Sequence, residues 1–258
     1  MFAKERLEAI ARKVNKEQRV LVKDLATEFT VSEDMIRKDL TVLQKQGRLQ
    51  KVYGGAVSVR TNPGRFASQQ RMRTDDPERS QLAETAFGLI KDGMRLFLDV
   101  SVTNIQVARM IAQSERNVTV VTNMIAILNE LAEAEHVRLI FIGGTINMER
   151  DAFWNASAAE LVGHYHYDLS LLGTVGVNLG DNSLSTYHED DGILKRTVLR
   201  HSKEAWVIAE AHKFQEEGDY CYSSLSDVSG LIVSTETKKT YRTALKSITV
   251  RTGGRSHE

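Results

Sequence analysis

The first sixty residues repeat apolar and polar positions with the spacing of short helices. Apolar residues recur at helical intervals over residues 3–14 and again over residues 23–29, with a short β-like run at residues 20–22 between them. Ser32 then offers a side-chain oxygen that suits the start of a third helix, which the pattern carries to about residue 46. Gly47 is the predicted end of that helix.

The third predicted helix has one apolar and one polar face. Ile36, Leu40 and Leu43 lie at i, i+4 and i+7 and are predicted to face the core. The positions left toward solvent or DNA are Glu33, Arg37, Lys38, Thr41 and Lys45. A short helix, a tight turn and a longer helix form the helix-turn-helix pattern, whose second helix enters the major groove of DNA. Residues 51–56, in which two glycines follow Lys51 and Tyr53, predict a basic hairpin, or wing, beside it.

Beyond residue 78, strand-like runs alternate with helix-like stretches. The predicted strands are residues 95–98, 118–121, 138–142, 169–172, 205–209, 230–233 and 247–250. The predicted helices include residues 103–113, 125–133, 190–201 and 238–245. Apolar strands with helices between them imply a parallel sheet covered on both faces. The predicted fold class is therefore α/β, with an N-terminal winged helix-turn-helix domain and a C-terminal doubly wound, mostly parallel α/β sensor domain.

The helical pattern breaks between these two parts. Both prolines of the chain, Pro63 and Pro77, fall in this segment, together with turn-forming residues and several arginines. We predict a DNA-binding domain over residues 1–58, a linker over residues 59–78 and an effector-sensing domain over residues 79–258.

The distribution of charge agrees with this division. The whole chain is neutral, but residues 1–60 hold 13 basic and 8 acidic side chains, a net charge of +5 that the remainder balances with −5. A basic first domain keeps attraction to nucleic acid local to one end. The chain has no apolar run of membrane-spanning length and one cysteine, Cys221, so we expect a cytoplasmic protein.

Polar residues and glycines follow most of the predicted strands. Because the carboxyl ends of parallel strands share one edge of a sheet, these residues are expected to converge on one rim. The candidate effector-binding residues are Asp99, Ser101, Thr103, Thr122, Asn123, Gly143, Gly144, Asp191, Lys195 and Lys213. The glycines and a helix start suit an anion, the lysines add positive charge, and the aspartates suit sugar hydroxyls. Their convergence indicates a small polyhydroxy ligand, phosphorylated, although for any single residue turning or capping is favoured over binding.

No set of residues predicts catalysis, a metal site or a cofactor. His164 and His166 lack Cys or acidic partners at the spacing of metal ligands. Residues 187–191 form an acidic helix start, where carboxylates suit the helix dipole without any chemistry. A pair of catalytic carboxylates stays open as an alternative.

At this point the sequence resembles the DeoR family of bacterial transcriptional repressors over nearly its whole length. The family's N-terminal signature matches Arg6, Ile10, Val14, Ser32 and the run Ile36-Arg37-Lys38-Asp39-Leu40, and Met35 stands where the family has threonine. The wing signature matches residues 51–56, with Tyr53 in place of histidine. The resemblance implies a winged helix-turn-helix joined to a sensor domain similar to sugar-phosphate isomerases, and repression of carbohydrate-catabolism operons in response to a phosphorylated sugar.

The sensor half departs from the family at the rim. The family's Asp-x-Gly-Thr-Thr loop is residues 99–103 here, without the glycine, and Asp191 with Lys195 stands for its Glu-x-x-x-Lys helix start. Its Asp-x-x-Lys-Phe segment corresponds to residues 210–214, which begin with Glu210. These changes indicate either an unusual ligand or weak binding.

The candidate DNA-binding residues are Ser32, Glu33, Asp34, Met35, Arg37, Lys38, Lys51 and Tyr53. Arg37 and Lys38 are expected to contact phosphates or guanine edges, and Lys51 and Tyr53 to hold the backbone from the wing. Glu33 and Asp34 either stabilise the helix start or accept from a cytosine amino group. Asp39 is expected to orient a basic neighbour.

The expected partners are double-stranded operator DNA, contacted by a homo-oligomer (a dimer or a tetramer), and a small phosphorylated sugar, without any membrane. Two alternatives stay open. One is a sugar-phosphate isomerase-like enzyme with an accessory basic domain, and the other is a non-specific architectural protein that binds nucleic acid.

Overall fold

The computed structural model describes residues 3–17, 19–46, 48–57, 76–147 and 151–253. The chain divides into two compact units, residues 1–67 and residues 68–258. Most of the predicted linker, residues 59–75, lies outside the described residues. Its last residues are described and are not linker, because Asp76 caps a helix that begins at Pro77.

The described residues of the N-terminal unit form three helices and a small sheet. Its elements in chain order are α1 (Ala3–Glu17), β1 (Arg19–Leu21), α2 (Val22–Phe29), α3 (Glu33–Lys45), β2 (Gln50–Val52) and β3 (Gly55–Val57). The three strands pair antiparallel in the order β1-β3-β2. The Ser32 hydroxyl accepts a hydrogen bond from the Met35 amide and so caps α3 as predicted. The predicted stop of α3, Gly47, lies outside the described residues.

One apolar core holds this unit together. Ile10 and Val14 of α1 and Leu25 of α2 are fully buried there. Ile36, Leu40 and Leu43 of α3 are also fully buried, which confirms the predicted inner face of that helix. The packing fixes the opposite face of α3 toward the surface.

The C-terminal unit is built on a seven-stranded parallel sheet. Its strands are β4 (Arg95–Leu98), β5 (Val118–Thr122), β6 (Val137–Phe141), β7 (Tyr167–Gly173), β10 (Ser202–Ile208), β12 (Gly230–Val233) and β13 (Val250–Thr252), in the order β13-β12-β10-β7-β4-β5-β6. The helices among its described residues are α4 (Pro77–Phe87), α5 (Val102–Ala112), α6 (Ile125–Leu131), α7 (Ala156–Val162), α8 (Glu189–Arg200) and α9 (Thr235–Thr240). The predicted α/β class is confirmed.

Side chains of the strands alternate between two apolar cores. Leu96 and Leu98 belong to one core with α4, α5 and α6, while Phe97 between them belongs to the other with α7 and α8. Each face of the sheet is therefore covered by helices, as the doubly wound prediction requires.

Helix α4 was not among the predicted helices, and three other parts of this unit differ from the sequence-based expectation. A second, antiparallel sheet of β8 (Gly176–Asn178), β9 (Ser183–Thr186) and β11 (Tyr220–Ser224) was not predicted, because its strands are short and mostly polar. The last strand is Val250–Thr252 rather than residues 247–250, since residues 244–247 form a 3-10 turn. The last predicted helix, residues 238–245, instead begins at Thr235, where the Ser234 side chain caps it.

Candidate DNA-binding face and effector rim

The outer face of α3 carries the predicted DNA-contacting side chains. Glu33, Asp34, Met35, Arg37 and Lys38 are all exposed. Ser32 caps the start of α3, and the inner face of the helix is buried. The exposed polar side chains therefore lie together on its opposite face. It has the shape and side-chain chemistry of a recognition helix.

Arg37 is held by both acidic residues at the start of α3. Its Nη1 lies 2.8 Å from Asp34 Oδ1, and its Nη2 lies 2.6 Å from Glu33 Oε2. Carboxylates in the first helical turn also suit the helix dipole, as the sequence indicated. The sequence pattern did not reveal that the same two side chains also hold Arg37.

Asp39 does not lie on the exposed face. Its carboxylate accepts from Arg6 of α1, at 2.6 Å from Nε and 3.4 Å from Nη2, and both side chains are buried. The hydrogen bond with Asp39 raises the pKa of the Arg6 guanidinium above its ordinary value. Asp39 thus orients a basic neighbour, as expected, and the ion pair fastens α1 to α3.

The wing is a two-residue hairpin that contacts α3. Lys51 donates from Nζ to Thr41 Oγ1 at 2.8 Å, and its amide donates to Gln44 Oε1. Tyr53 is fully exposed at the tip. Gly54 follows with a φ of +76°, which favours glycine, and a Cβ on Gly55 would lie 2.0 Å from the Val20 carbonyl oxygen. Both glycines of the wing signature are therefore required by the backbone.

At the rim of the large sheet, four polar side chains form one buried group, here named the Lys195 cluster. Lys195 Nζ lies 2.5 Å from Asp99 Oδ2, after β4, and 3.0 Å from Asp191 Oδ1, one turn earlier on α8. The other Asp191 oxygen accepts from Thr186 of β9. The Gly173 amide at the end of β7 also donates to Asp99. The sheet and α8 thus bring three predicted rim residues, Asp99, Asp191 and Lys195, into direct contact.

Burial governs the protonation of this cluster. It raises the pKa of Asp99 above its ordinary value, against the opposing charge of Lys195. Burial lowers the pKa of Lys195, but the nearby carboxylates of Asp191 and Asp99 outweigh this and hold it above its ordinary value. Burial likewise raises the pKa of the Tyr222 hydroxyl, which interacts electrostatically with Lys195. One ammonium group thus faces two carboxyl groups with almost no solvent.

The other predicted rim residues are less closely joined to the cluster. Ser101 immediately precedes α5 and lies against Gly173, and Thr103 is buried in the first turn of that helix. Thr122 donates to the Leu98 carbonyl and Asn123 to the Phe153 carbonyl, so both stabilise the loops in which they lie. The remaining residues are Gly143 and Gly144, which follow β6, and Lys213. Lys213 lies on the 3-10 turn after β10 and pairs with Glu216.

Three polar residues near the strand ends were missed. Thr186 and Tyr222 lie on the unpredicted small sheet, so no strand pattern marked them. Arg79 is buried on α4 and pairs with Glu210 at 3.3 Å. Glu210 stands at the first position of the family's Asp-x-x-Lys-Phe segment. That correspondence is the signal in the sequence that pointed toward the Arg79–Glu210 pair.

Comparison with known proteins identifies the family of both units. The DeoR-like helix-turn-helix domain model matches residues 6–62, and the DeoR C terminal sensor domain model matches residues 75–235. The chain belongs to the DeoR family. It is accordingly a DNA-binding transcription regulator rather than an enzyme, and the isomerase-like alternative is not favoured.

Relatives of this DeoR-family chain cover most of its length. The HTH-type transcriptional repressor GlcR of Bacillus subtilis (strain 168) is 28% identical over 90% of this chain and 88% of its own. A putative aga operon transcriptional repressor of Escherichia coli O157:H7 is 31% identical over 81% of this chain and 78% of its own. The lactose phosphotransferase system repressor of Staphylococcus aureus (strain N315) is 26% identical over 92% of this chain and 96% of its own.

Two features are absent from the described residues of this DeoR-family chain. No helix in those ranges is long and apolar enough to cross a membrane. Within the same ranges, no three His, Cys, Asp or Glu side chains are grouped to hold a metal ion.

Proposed function

We propose that this chain represses a carbohydrate-catabolism operon by holding operator DNA with α3 and the wing, and that a phosphorylated sugar releases it. Two relatives are named for an aga operon and for a lactose phosphotransferase system, which supports a sugar-related target. The observation that carries the proposal is the exposed face of α3, which is capped, packed from behind and lined with basic and polar side chains. The site of action is the cytoplasm, where the operator DNA lies.

On this face, Arg37 and Lys38 contact guanine edges or phosphates, and Met35 lies beside them for apolar contact with a base. Lys51 and Tyr53 hold the DNA backbone from the wing. Ser32 caps the start of α3 and keeps it in place. Its side chain is also exposed, next to Glu33 and Asp34, and contacts a phosphate. Paired copies of α3 in a homo-oligomer, a dimer or a tetramer, suit a palindromic or repeated operator.

The effector site is the rim around the Lys195 cluster. Asp99 offers a carboxylate oxygen to a sugar hydroxyl, because its Oδ1 is buried with no hydrogen-bond partner among the described residues, and Asp191 holds Lys195 beside it. Ser101, Thr103, Gly143 and Gly144 supply the hydroxyls and the open backbone that suit a phosphate. Lys213, Thr122 and Asn123 complete the loops at the same edge of the sheet. Release requires that the sugar bind the DNA-free arrangement more tightly than the DNA-bound one.

The test is operator binding by the full chain. Operator DNA is first selected from random duplexes, and its affinity is then measured by fluorescence anisotropy as a function of salt. Arg37→Ala is expected either to weaken operator binding by about 1 to 3 kcal/mol, if the side chain contacts guanine, or to flatten the salt slope by about one, if it contacts a phosphate. Lys91→Ala, which removes an exposed charge from the other unit, is the control and is expected to change neither.

Two results of this experiment contradict the proposal. An Arg37→Ala chain with unchanged affinity and salt slope means that α3 is not the recognition helix. A selection that enriches no sequence supports the architectural alternative. The effector half is tested in the same assay by adding phosphorylated pentoses and hexoses, at least one of which is expected to release the operator; release by none contradicts it.

A further inference from the structure

The two adjacent basic residues on the outer face of α3 have different surroundings. Arg37 makes two ion pairs, with Glu33 and Asp34. Lys38, also exposed, has no hydrogen-bond or ion-pair partner within the part of the chain that the structure describes. The Arg37 guanidinium is therefore held by two ion pairs, whereas the Lys38 ammonium can turn toward any nearby anion.

The fixed guanidinium keeps enough donors to bind a base. A guanidinium has five N–H groups, and the two ion pairs occupy one on each terminal nitrogen. Three N–H groups remain, and two of them suffice for the paired contact that arginine makes with O6 and N7 of guanine. Recognition of guanine therefore does not require that Arg37 leave its carboxylate partners.

Contact with an arbitrary phosphate makes a different demand. Phosphates lie at varied positions around α3, so Arg37 would have to change rotamer and lose both ion pairs to reach most of them. Glu33 and Asp34 themselves repel phosphates that come close. The same two carboxylates thus favour one direction of contact for Arg37 and oppose the others.

We propose that Glu33 and Asp34 are positioning residues that hold Arg37 for a guanine of the operator and keep it from the phosphates of other DNA. The inference rests on the proposed function of α3. It assigns the two acids a role in sequence discrimination that neither helix-dipole stabilisation nor contact with a cytosine amino group provides. Without them, Arg37 moves freely and contacts phosphates in any sequence.

The test compares affinities for the selected operator and for random duplex DNA, using the full chain. The double variant Glu33→Gln, Asp34→Asn removes both ion pairs with almost no change of shape. The ratio of the two affinities is expected to fall by about five- to tenfold, a part of the discrimination that one arginine–guanine contact provides. Both positions are exposed, so the fold of α3 is expected to survive, and circular dichroism checks this.

A matched control separates positioning from net charge. Asp24→Asn, Glu28→Gln makes the same change of charge on α2, where both side chains are exposed and neither pairs with Arg37. This variant is expected to bind both DNAs more tightly by a similar factor and so to keep the ratio. Equal effects of the two double variants on the ratio would overturn the proposal, as would an unchanged ratio in the Glu33→Gln, Asp34→Asn chain.

A second readout identifies the base. Replacing operator guanines one at a time with 7-deazaguanine removes the N7 acceptor and is expected to weaken wild-type binding strongly at one position in each half-site. The penalty at that position should shrink in the Glu33→Gln, Asp34→Asn chain and in Arg37→Lys, which keeps the charge but loses the paired donors. A full penalty in the Glu33→Gln, Asp34→Asn chain would contradict positioning by the acids, and a full penalty in Arg37→Lys would mean that Arg37 does not contact that base. If Arg37→Ala itself leaves operator affinity intact, the proposed function of α3 has failed rather than this inference alone.

Discussion

Asp39→Ala is expected to lower the free energy of unfolding of the N-terminal unit by about 3 to 5 kcal/mol. The substitution leaves the Arg6 guanidinium, whose side chain is only 8% exposed, without the carboxylate that neutralises it. Removing both charges together, in Arg6→Met with Asp39→Leu, should destabilise the unit much less, because no unpaired charge is then buried. Hydrogen exchange of peptides from α1 and α3 in the full chain measures this unit separately from the other.

The control for this prediction is a second ion pair between α1 and the region after α3. Arg48 and Glu8 make two short contacts, but their side chains are 36% and 46% exposed. Glu8→Ala is therefore expected to change stability by less than about 1 kcal/mol. Equal effects of Asp39→Ala and Glu8→Ala would show that the Arg6–Asp39 pair does not fasten α1 to α3.

Lys195→Met is expected to destabilise the sensor unit by about 3 to 5 kcal/mol near pH 8, because it leaves Asp99 and Asp191 buried together without a cation. The loss should shrink as the pH falls. Burial already raises the pKa of Asp99, and removal of the ammonium raises it further, so the folded variant takes up a proton at a higher pH than the unfolded chain. Its stability therefore increases as the pH falls through that raised pKa.

Tryptophan fluorescence during urea unfolding reports this effect, since both tryptophans of the chain, Trp154 and Trp206, lie in the sensor unit. Lys203→Met is the control: Lys203 pairs with Asp168 on the surface, where its side chain is 76% exposed, and its loss is expected to change stability by less than about 1 kcal/mol. A Lys195→Met chain as stable as Lys203→Met, or one that loses more stability toward acid pH, would contradict the described cluster.

The sequence predicted the elements whose apolar periodicity is complete. The inner face of α3 is an example, because Ile36, Leu40 and Leu43 make one uninterrupted stripe and all are buried. Continuous apolar strands such as β7 and β12 were equally clear. Ser32 was predictable as a cap because its chemistry is local to the helix start.

The elements that were missed rest on contacts between residues distant in sequence. Helix α4 has Arg79 on its inner face, and this buried charge pairs with Glu210, more than a hundred residues away, as well as with Asp76 at the start of the helix. The small sheet has few buried apolar residues, so its alternation is weak. For the same reason the rim was predicted as a set of residues, but the contact of Lys195 with Asp99 required the fold.

In the proposed function, operator DNA contacts the exposed face of α3. Methyl resonances of methionine in the full chain test this directly, because Met35 is 43% exposed on that face while Met124 is buried in the sensor core. Saturation with the selected operator is predicted to shift the Met35 methyl signal, assigned through Met35→Leu, and to leave that of Met124 in place. Operator binding with an unmoved Met35 signal would contradict the account.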